Sequence, residues 1–395
     1  MSHEKKFGPS TKCVHVGTEP DPTYGAVVTP IYQSTTYAIP DVPELIARYR
    51  HHKKGGYTYT STGNPTQRAA EIKIAALEGG EDAAVFSAGM GAITAAINSI
   101  VKNGDHVIAQ NDLYGETYRL FNTMPQMRGI KSSFFDAAKT EQLETMITEK
   151  TSLIYLETPT NPLLKLVDIK KATDIAKKHG VTTILDNTFA SPMNQRALEL
   201  GVDIVVESAT KSLSGHHHVV CGAAVSTPEK IRAIKHMRGD YGQTLDPFGA
   251  FLLITGMQTM SLRVERMNKN TMQLAKLLED SPKIERVYYP GLPSHPQHAI
   301  AKKQMHGYGS MVSFDVKGGL DAITKLFDNL DLVKLATSLG GVDTIATIPS
   351  ISTHGGLAKE DQLKMGITEN LVRASIGIED YDDLAEDFKN ALSKL

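Results

Sequence analysis

The stretch Asp203–Gly215, DIVVESATKSLSG, decides the fold of this 395-residue chain. Its apolar run at 204–206 is typical of a short buried β-strand, and a single lysine, Lys211, follows the hydroxyl residues Ser208 and Thr210. Ligands of open α/β sheets bind outside the carboxyl ends of the strands. The pattern therefore predicts that Lys211 meets a ligand and that the two hydroxyls hold a phosphate. The alternative is an exposed lysine on a loop, which is the commoner place for a lysine.

Strands and helices alternate on the N-terminal side of this stretch. The alternation favours an α/β fold with a mostly parallel, doubly wound sheet, and we expect this domain to span residues 63–256. It follows a proline-rich arm, residues 1–62, that has too little regular structure for a core of its own and is expected to contribute to a neighbouring subunit. Short apolar runs predict strands at 83–86, 106–109, 153–156 and 183–185, with helices at 64–79, 92–101 and 170–179.

The C-terminal part mixes strands and helices less regularly. A helical pattern over 249–279 leads into it, and we expect a smaller α+β domain over residues 257–395. Its strands are predicted near 284–288, 310–316 and 371–376, and its helices near 320–327 and 380–395.

Composition excludes several classes of partner. The formal net charge is −2, which gives no bulk electrostatic reason to expect nucleic acid or an anionic membrane. Neither a transmembrane run nor the apolar core of a signal peptide is found, so we expect a cytoplasmic protein. The two cysteines, Cys13 and Cys221, have no disulfide or metal-site spacing and suit a reducing compartment.

A glycine turn, Ser87–Gly91, lies between a predicted strand and a predicted helix. The free N–H groups at such a helix start, together with the helix dipole, favour an anion. The turn lacks the third glycine of a dinucleotide fingerprint and the Gly-Lys-Ser/Thr of a P-loop. Gly89 and Met90 are therefore predicted to bind an isolated phosphate group.

Three polar side chains follow the ends of successive predicted strands: Asn161, Asp186 and Lys211. A lysine that can form a Schiff base, an aspartate that keeps a pyridine nitrogen protonated and a phosphate turn are the parts that hold pyridoxal phosphate. Tyr114 is the candidate to cover the ring. Each residue alone is weak evidence, since Asp186 by itself has about even odds of being a turn or cap residue.

The chain resembles the γ-family of pyridoxal-phosphate enzymes of cysteine and methionine metabolism, closest in pattern to cystathionine γ-lyase and methionine γ-lyase. The resemblance covers nearly the whole length. It is carried by PIYQSTTY (30–37), TGNPT (62–66), FSAGMGAI (86–93), DLYGETYRLF (112–121), ETPTNP (157–162), DNTFASP (186–192), SATKSLSGH (208–216), YPGLPSHPQH (289–298), SLGG (338–341) and LVRASIGIED (371–380).

The resemblance implies an aspartate-aminotransferase-like fold, which is fold type I of the pyridoxal-phosphate enzymes, and a homotetramer built from dimers with shared active sites. It also implies that Lys211 carries the cofactor and moves protons, that Asp186 pairs with the pyridine nitrogen, and that Tyr114 stacks on the ring. The phosphate would contact Gly89, Met90, Ser208 and Thr210.

The substrate side of the site is implied in the same way. Arg373 would bind the α-carboxylate through a bidentate fork, with Asn161 and Ser338 helping to place substrate and cofactor. Tyr59 would reach cofactor and substrate in the neighbouring subunit, and Arg119 matches the cystathionine γ-lyase pattern. The alternative for Arg119 is a local i to i+3 pair with Glu116 on one helix.

Two departures from the family pattern stand out. Ser61 occupies the position of an arginine that would reach the phosphate of the next subunit; the hypothesis is weaker cofactor binding or compensation by Arg50, Lys53 or Lys54. The run His216–His218 replaces a Ser/Gly-Asp pair. A metal site there is disfavoured, because the loop from Ser212 to His218 carries no carboxylate or cysteine partner.

The function predicted from this resemblance is γ-elimination on a sulfur amino acid, L-cystathionine or L-methionine and homocysteine, giving a 2-oxoacid, ammonia and a thiol. The first alternative is γ-replacement, as in cystathionine γ-synthase or O-acetylhomoserine sulfhydrylase. A remote alternative is a non-catalytic protein that binds the cofactor.

Overall fold

The computed structural model describes residues 7–50 and 56–395. The first part of the chain has few regular elements. Helix α1 (Pro9–His15) packs on the following domain and buries Cys13, whereas helix α2 (Val42–Arg50) buries no residue of its own. Elsewhere in the described part of the arm the backbone is irregular, apart from a bridge between Thr36 and Tyr59.

The large domain is built on a seven-stranded sheet with the order β1-β7-β6-β5-β4-β2-β3. Neighbouring strands are parallel except for β7, which is antiparallel to both β1 and β6. The strands are β1 (Asp82–Phe86), β2 (His106–Gln110), β3 (Lys131–Phe135), β4 (Thr151–Glu157), β5 (Thr182–Asp186), β6 (Ile204–Glu207) and β7 (Gly222–Ser226).

Helices cover both faces of this sheet, because alternate strand residues point to opposite sides. Ile154 and Leu156 of β4 belong to one core, and Leu153 and Tyr155 belong to the other. The helices of this domain are α3 (Pro65–Glu78), α4 (Gly89–Asn98), α5 (Gly115–Arg128), α6 (Gln142–Met146), α7 (Ile169–His179), α8 (Ser191–Asn194), α9 (Pro228–Asp240) and α10 (Pro247–Gln258).

Helix α11 (Met260–Glu279) connects the two sheets of the molecule. Val264 near its start packs in the core of the large sheet, and Leu274 near its end packs in a separate C-terminal core. The sequence predicted one helical stretch over 249–279, but the helix is broken at Thr259 between α10 and α11.

The C-terminal sheet has the order β10-β11-β12-β9-β8 and is antiparallel except between β10 and β11. Its elements are β8 (Ile284–Tyr288), α12 (His298–Gln304), β9 (Met311–Val316), α13 (Gly319–Asp328), β10 (Lys334–Leu335), β11 (Ile345–Thr347), α14 (Lys359–Lys364), β12 (Leu371–Ser375) and α15 (Tyr381–Ser393).

The predicted α/β architecture is confirmed, and the predicted boundaries at 62 and 256 stay predictions. Strands β3 and β7 were missed, since KSSFF is polar at an edge and GAAVS is made of small residues. The helix predicted over 64–79 is confirmed as α3, and Asn64 caps it by accepting the Thr66 N–H. In the part of the chain that the structure describes, no helix has the length and apolarity needed to span a bilayer.

Candidate active site

Lys211 lies in the turn after β6, at the carboxyl end of the central sheet. Its Nζ donates a hydrogen bond to Ser338 Oγ at 2.7 Å, so the amine faces the C-terminal domain rather than bulk water. Burial, and secondarily the positive charge of Arg373, lowers the pKa of Lys211 to about 8. An amine with a pKa lowered in this way is partly neutral near pH 7–8, and the neutral amine is the nucleophile toward a carbonyl carbon.

Asp186 ends β5, the strand next to β6, and its carboxylate is buried. Its Oδ1 accepts the Thr188 N–H at 3.0 Å, and the Tyr155 hydroxyl donates to its Oδ2 at 3.4 Å. Burial raises the pKa of Asp186, while the bonds from Thr188 oppose that shift. A cation beside this carboxylate would favour its ionised form.

The turn before α4 forms a narrow cradle. Gly89 begins the helix, and a Cβ at this position would lie 2.8 Å from the Ser208 Cβ, so only glycine fits. The first N–H groups of the helix have no intrahelical acceptor and favour an anion. The Thr117 hydroxyl donates to the Met90 sulfur at 3.7 Å, and the phosphate contact predicted for Met90 stays a prediction.

Thr210 has its hydroxyl already paired with the neighbouring backbone. The hydroxyl donates to the Cys221 carbonyl at 3.0 Å and accepts the Cys221 N–H at 2.9 Å. Its predicted phosphate contact stays a prediction and requires one of these bonds to be exchanged.

Arg373, on β12, is buried and faces the same space as Lys211. Its Nη1 donates to Asn161 Oδ1 at 2.8 Å, and its Nη2 donates to the Ser338 carbonyl at 3.0 Å. Its buried Nε has no partner among the described residues. Burial lowers the pKa of Arg373 to about 10, whereas the charge of Glu157 opposes that shift. A buried guanidinium held by neutral oxygens can still receive a carboxylate.

Ser338 joins these two cations, because its hydroxyl accepts from Lys211 and its carbonyl accepts from Arg373. Its backbone has φ +86°, in the left-handed region that side chains rarely adopt. A Cβ at the neighbouring Gly340 would lie 2.6 Å from the Ser212 nitrogen, so this loop lies directly on the lysine turn. The bonds from Lys211 and Arg373 and the close packing of this loop hold Ser338 in its strained conformation.

Tyr114 occupies the N-cap position of α5, and its side chain is partly exposed. Burial raises the pKa of its hydroxyl, and the charge of Glu116 adds to that shift. The Tyr114 N–H donates to Glu157 Oε2 at 2.9 Å, and the Asn161 N–H donates to Glu157 Oε1 at 3.1 Å. Glu157 thus anchors two predicted site residues, although the sequence analysis gave it no role.

Two predicted site residues are not brought to Lys211 within one chain. Tyr59 is 50% exposed in the arm, and its described contacts are with other arm residues. Arg119 forms an ion pair with Glu116 one helical turn away, which is the local alternative considered from the sequence. The Arg119 side chain is 69% exposed. Its positive charge is close enough to Tyr114 to oppose the rise in the pKa of the Tyr114 hydroxyl.

Comparison with known proteins gives these side chains a common context. The family described as "Cys/Met metabolism PLP-dependent enzyme" matches residues 10–393. The chain belongs to this family.

Individual relatives resemble this chain over nearly the full length of both proteins. It is 42% identical to a cystathionine beta-lyase of Coxiella burnetii over 99% of both chains, and 41% identical to a cystathionine gamma-lyase of Dictyostelium discoideum over 100% of both. It is 42% identical to an L-methionine gamma-lyase of Fusobacterium nucleatum over 99% of both. A cystathionine gamma synthase structure from Xanthomonas oryzae, in complex with aminoacrylate and cysteine, superposes with a TM-score of 0.94 at 35% identity over 99% of both chains.

Members of this family use pyridoxal phosphate, and the residues present fit that group. The glycine cradle at Gly89 suits the phosphate, the buried Asp186 carboxylate suits a protonated pyridine nitrogen, and the amine of Lys211 suits the aldehyde. The fold is therefore the fold type I of pyridoxal-phosphate enzymes, as predicted.

The histidine run at 216–218 joins the lysine turn to the Ser338 loop. The His217 Nε2 lies 3.3 Å from Asp343 Oδ1, and the His216 Nδ1 lies 2.7 Å from the Ser214 carbonyl oxygen. Among the described residues, no group of three or more histidine, cysteine or acidic side chains is arranged to hold a metal ion. The run therefore connects two loops of this pyridoxal-phosphate enzyme.

The sequence analysis also missed Arg263 of α11. This buried guanidinium donates to the Ser212 carbonyl at 3.0 Å and to the Gly256 carbonyl at 2.6 Å. It therefore joins the turn that carries Lys211 to helix α10. An arginine within the apolar pattern of a helix was the available signal. For Glu157 the signal was an acid ending a buried strand.

Proposed function

We propose that this pyridoxal-phosphate enzyme is a carbon–sulfur lyase that eliminates a thiol from the γ-carbon of L-cystathionine, L-methionine or homocysteine. The observation that carries the proposal is the convergence of Lys211 and Arg373 on Ser338, through bonds of 2.7 and 3.0 Å. An amine that can exchange protons and a guanidinium that can hold a carboxylate then face one substrate.

When bound, pyridoxal phosphate supplies an electron sink for the substrate α-carbon. Lys211 would take the α-proton and then serve the β-carbon, because its pKa of about 8 suits both gain and loss of a proton. Arg373 would orient the α-carboxylate. Tyr114, which is close enough to Arg373 for their charges to interact, would protonate the departing sulfur, since a pKa raised by burial keeps its hydroxyl protonated.

The overall reaction adds one water and releases a thiol, ammonia and a 2-oxoacid. A panel of cystathionine, methionine and homocysteine tests it, with ammonia, thiol and oxoacid measured separately. Cleavage of cystathionine at the γ-carbon yields 2-oxobutanoate and cysteine. Cleavage at the β-carbon would yield pyruvate and homocysteine, and this result would contradict γ-elimination.

The alternative is γ-replacement, which is favoured by the likeness to the γ-synthase structure at a TM-score of 0.94. The two reactions differ in what captures the unsaturated four-carbon fragment. Thioether formation from O-acetylhomoserine plus cysteine, without ammonia release from cystathionine, would identify the replacement enzyme. Failure of the cofactor band to respond to any amino acid would favour the non-catalytic alternative.

We also propose a cytoplasmic homotetramer, built from dimers in which the arm of one chain completes the site of another. Tyr59, Ser61 and their exposed neighbours support this arrangement, because the arm presents apolar side chains away from its own chain. Lys53 and Lys54, considered above as partners for the phosphate, lie outside the described residues. Arg50 ends α2 on the exposed side of the arm and remains a candidate.

A further inference from the structure

The Glu157 carboxylate lies beneath the proposed substrate site and is only 4% exposed. It ends β4, the strand beside the one that carries Asp186. Its two oxygens accept hydrogen bonds from two different backbone segments: the Tyr114 N–H at 2.9 Å and the Asn161 N–H at 3.1 Å. One side chain therefore joins the turn before α5 to the loop after β4.

Both joined segments carry groups that face the substrate. Tyr114 presents its ring and hydroxyl, and Asn161 accepts from Arg373 Nη1 at 2.8 Å. A continuous chain of three hydrogen bonds thus runs from the Tyr114 backbone through Glu157 and Asn161 to the guanidinium. Each member is held by a neighbour of fixed position, so the placement of Arg373 depends on Glu157 through Asn161.

We propose that Glu157 is a positioning residue that sets the geometry with which Arg373 and Tyr114 receive the substrate α-carboxylate and leaving group. This inference rests on the proposed function, because it assigns Arg373 to a carboxylate. Glu157 is not expected to touch the substrate or the reacting atoms.

Glutamine cannot replace this side chain without loss. It has the same shape, but one of its terminal atoms is an NH2 group that donates instead of accepting. In Glu157→Gln, either the Tyr114 N–H or the Asn161 N–H would face another donor. A buried donor without an acceptor costs about 1–3 kcal/mol, which corresponds to roughly 5- to 150-fold in binding. Rotation of the backbone to relieve the clash would move the groups that face the substrate.

Two small amines can distinguish a positioning role of Glu157 from a general loss of structure in the Glu157→Gln variant. Glycine carries an amine and a carboxylate, whereas methylamine carries the amine alone. Each is titrated into the cofactor-loaded enzyme while the visible absorption band is followed. For Glu157→Gln we expect the apparent affinity for glycine to fall at least about tenfold. The affinity for methylamine should change less than about twofold, because this amine makes no contact through the carboxylate site.

The matched control is Glu71→Gln, which removes an equally buried carboxylate elsewhere. Glu71 pairs with Arg238 at 3.1 Å and with Lys235 at 2.8 Å, remote from Lys211. This variant should lose thermal stability while keeping the wild-type ratio of glycine to methylamine affinity. Unchanged selectivity in Glu157→Gln, or an equal loss for both amines, would overturn the inference. If the wild-type band responds to neither amine, the proposed function itself fails.

Discussion

The buried half of the site and the N-terminal arm differ in how completely one chain specifies them. Asp186, Lys211 and Arg373 stand on strands or strand ends and are held by hydrogen bonds of 2.7–3.0 Å. In the arm, Tyr24 is 91% exposed and Tyr59 50%. The first region is therefore arranged by contacts within one chain. The described residues of the second region expose apolar side chains, and we propose that another chain covers them.

The largest effect is expected from replacing the lysine of the buried half. Lys211→Ala removes the amine that we propose to hold the cofactor and to move protons, so turnover should fall by more than about 10³-fold. The visible band of the bound cofactor should shift or disappear, which absorption spectroscopy checks. Lys230→Ala, which removes a lysine paired with Asp203 on the surface at 2.9 Å, is the control and should keep full turnover.

The next effect tests whether Arg373 acts as a fork. Arg373→Lys keeps the positive charge but cannot present two parallel N–H groups to a carboxylate. We expect KM for the amino acid to rise about 10- to 100-fold, with a smaller change in kcat. Steady-state kinetics on the substrate that the panel identifies would measure this. A KM within about twofold of wild type would mean that the carboxylate binds elsewhere.

A mixing experiment tests whether the arm completes the site of another chain. Tyr59→Ala and Lys211→Ala should each be nearly inactive in their own assemblies. Co-expression places both lesions in one site of a mixed dimer and leaves the other site intact. Random pairing should then restore about a quarter of wild-type activity. No recovery in purified mixed dimers would place Tyr59 and Lys211 of the same chain in one site.

The smallest effect concerns stability in the buried half. The Glu78 carboxylate accepts from Asn187 Nδ2 at 3.0 Å, and the carboxyl group of Glu207, which is also buried, lies against it. Burial raises the pKa of Glu78 from 4.5 to about 7 and raises that of Glu207 well above its usual range. A carboxyl whose pKa is raised in the folded state binds protons more tightly there, so stability falls as the pH rises from about 4.5 through 7.

Glu207→Gln should therefore raise the free energy of unfolding at pH 8 by about 1–3 kcal/mol and change it less at pH 5.5. Thermal or denaturant unfolding at the two pH values measures the difference. A variant that is equally destabilised at both pH values would show that Glu207 stabilises the strand end instead.

Sequence reasoning succeeded where a local pattern carries the structure. The apolar run before Lys211, the glycine turn at Gly89 and the acid ending a strand at Asp186 each follow from residue type and period, and the α/β fold follows from their alternation. It failed at β3 and β7, where small or polar residues form strands because their neighbours supply the partners.

The sequence by itself determined the class of fold and the candidate site side chains Asp186, Lys211 and Arg373, which stand in a recognisable order along the chain. Only the tertiary structure decided that Ser338, 127 residues from Lys211, holds the amine, and that Glu157 connects Tyr114 to Asn161 and, through it, to Arg373. These contacts join separate strands and loops, and sequence spacing carries no information about them. They depend on how two sheets pack around one helix, which is set by the cores as a whole.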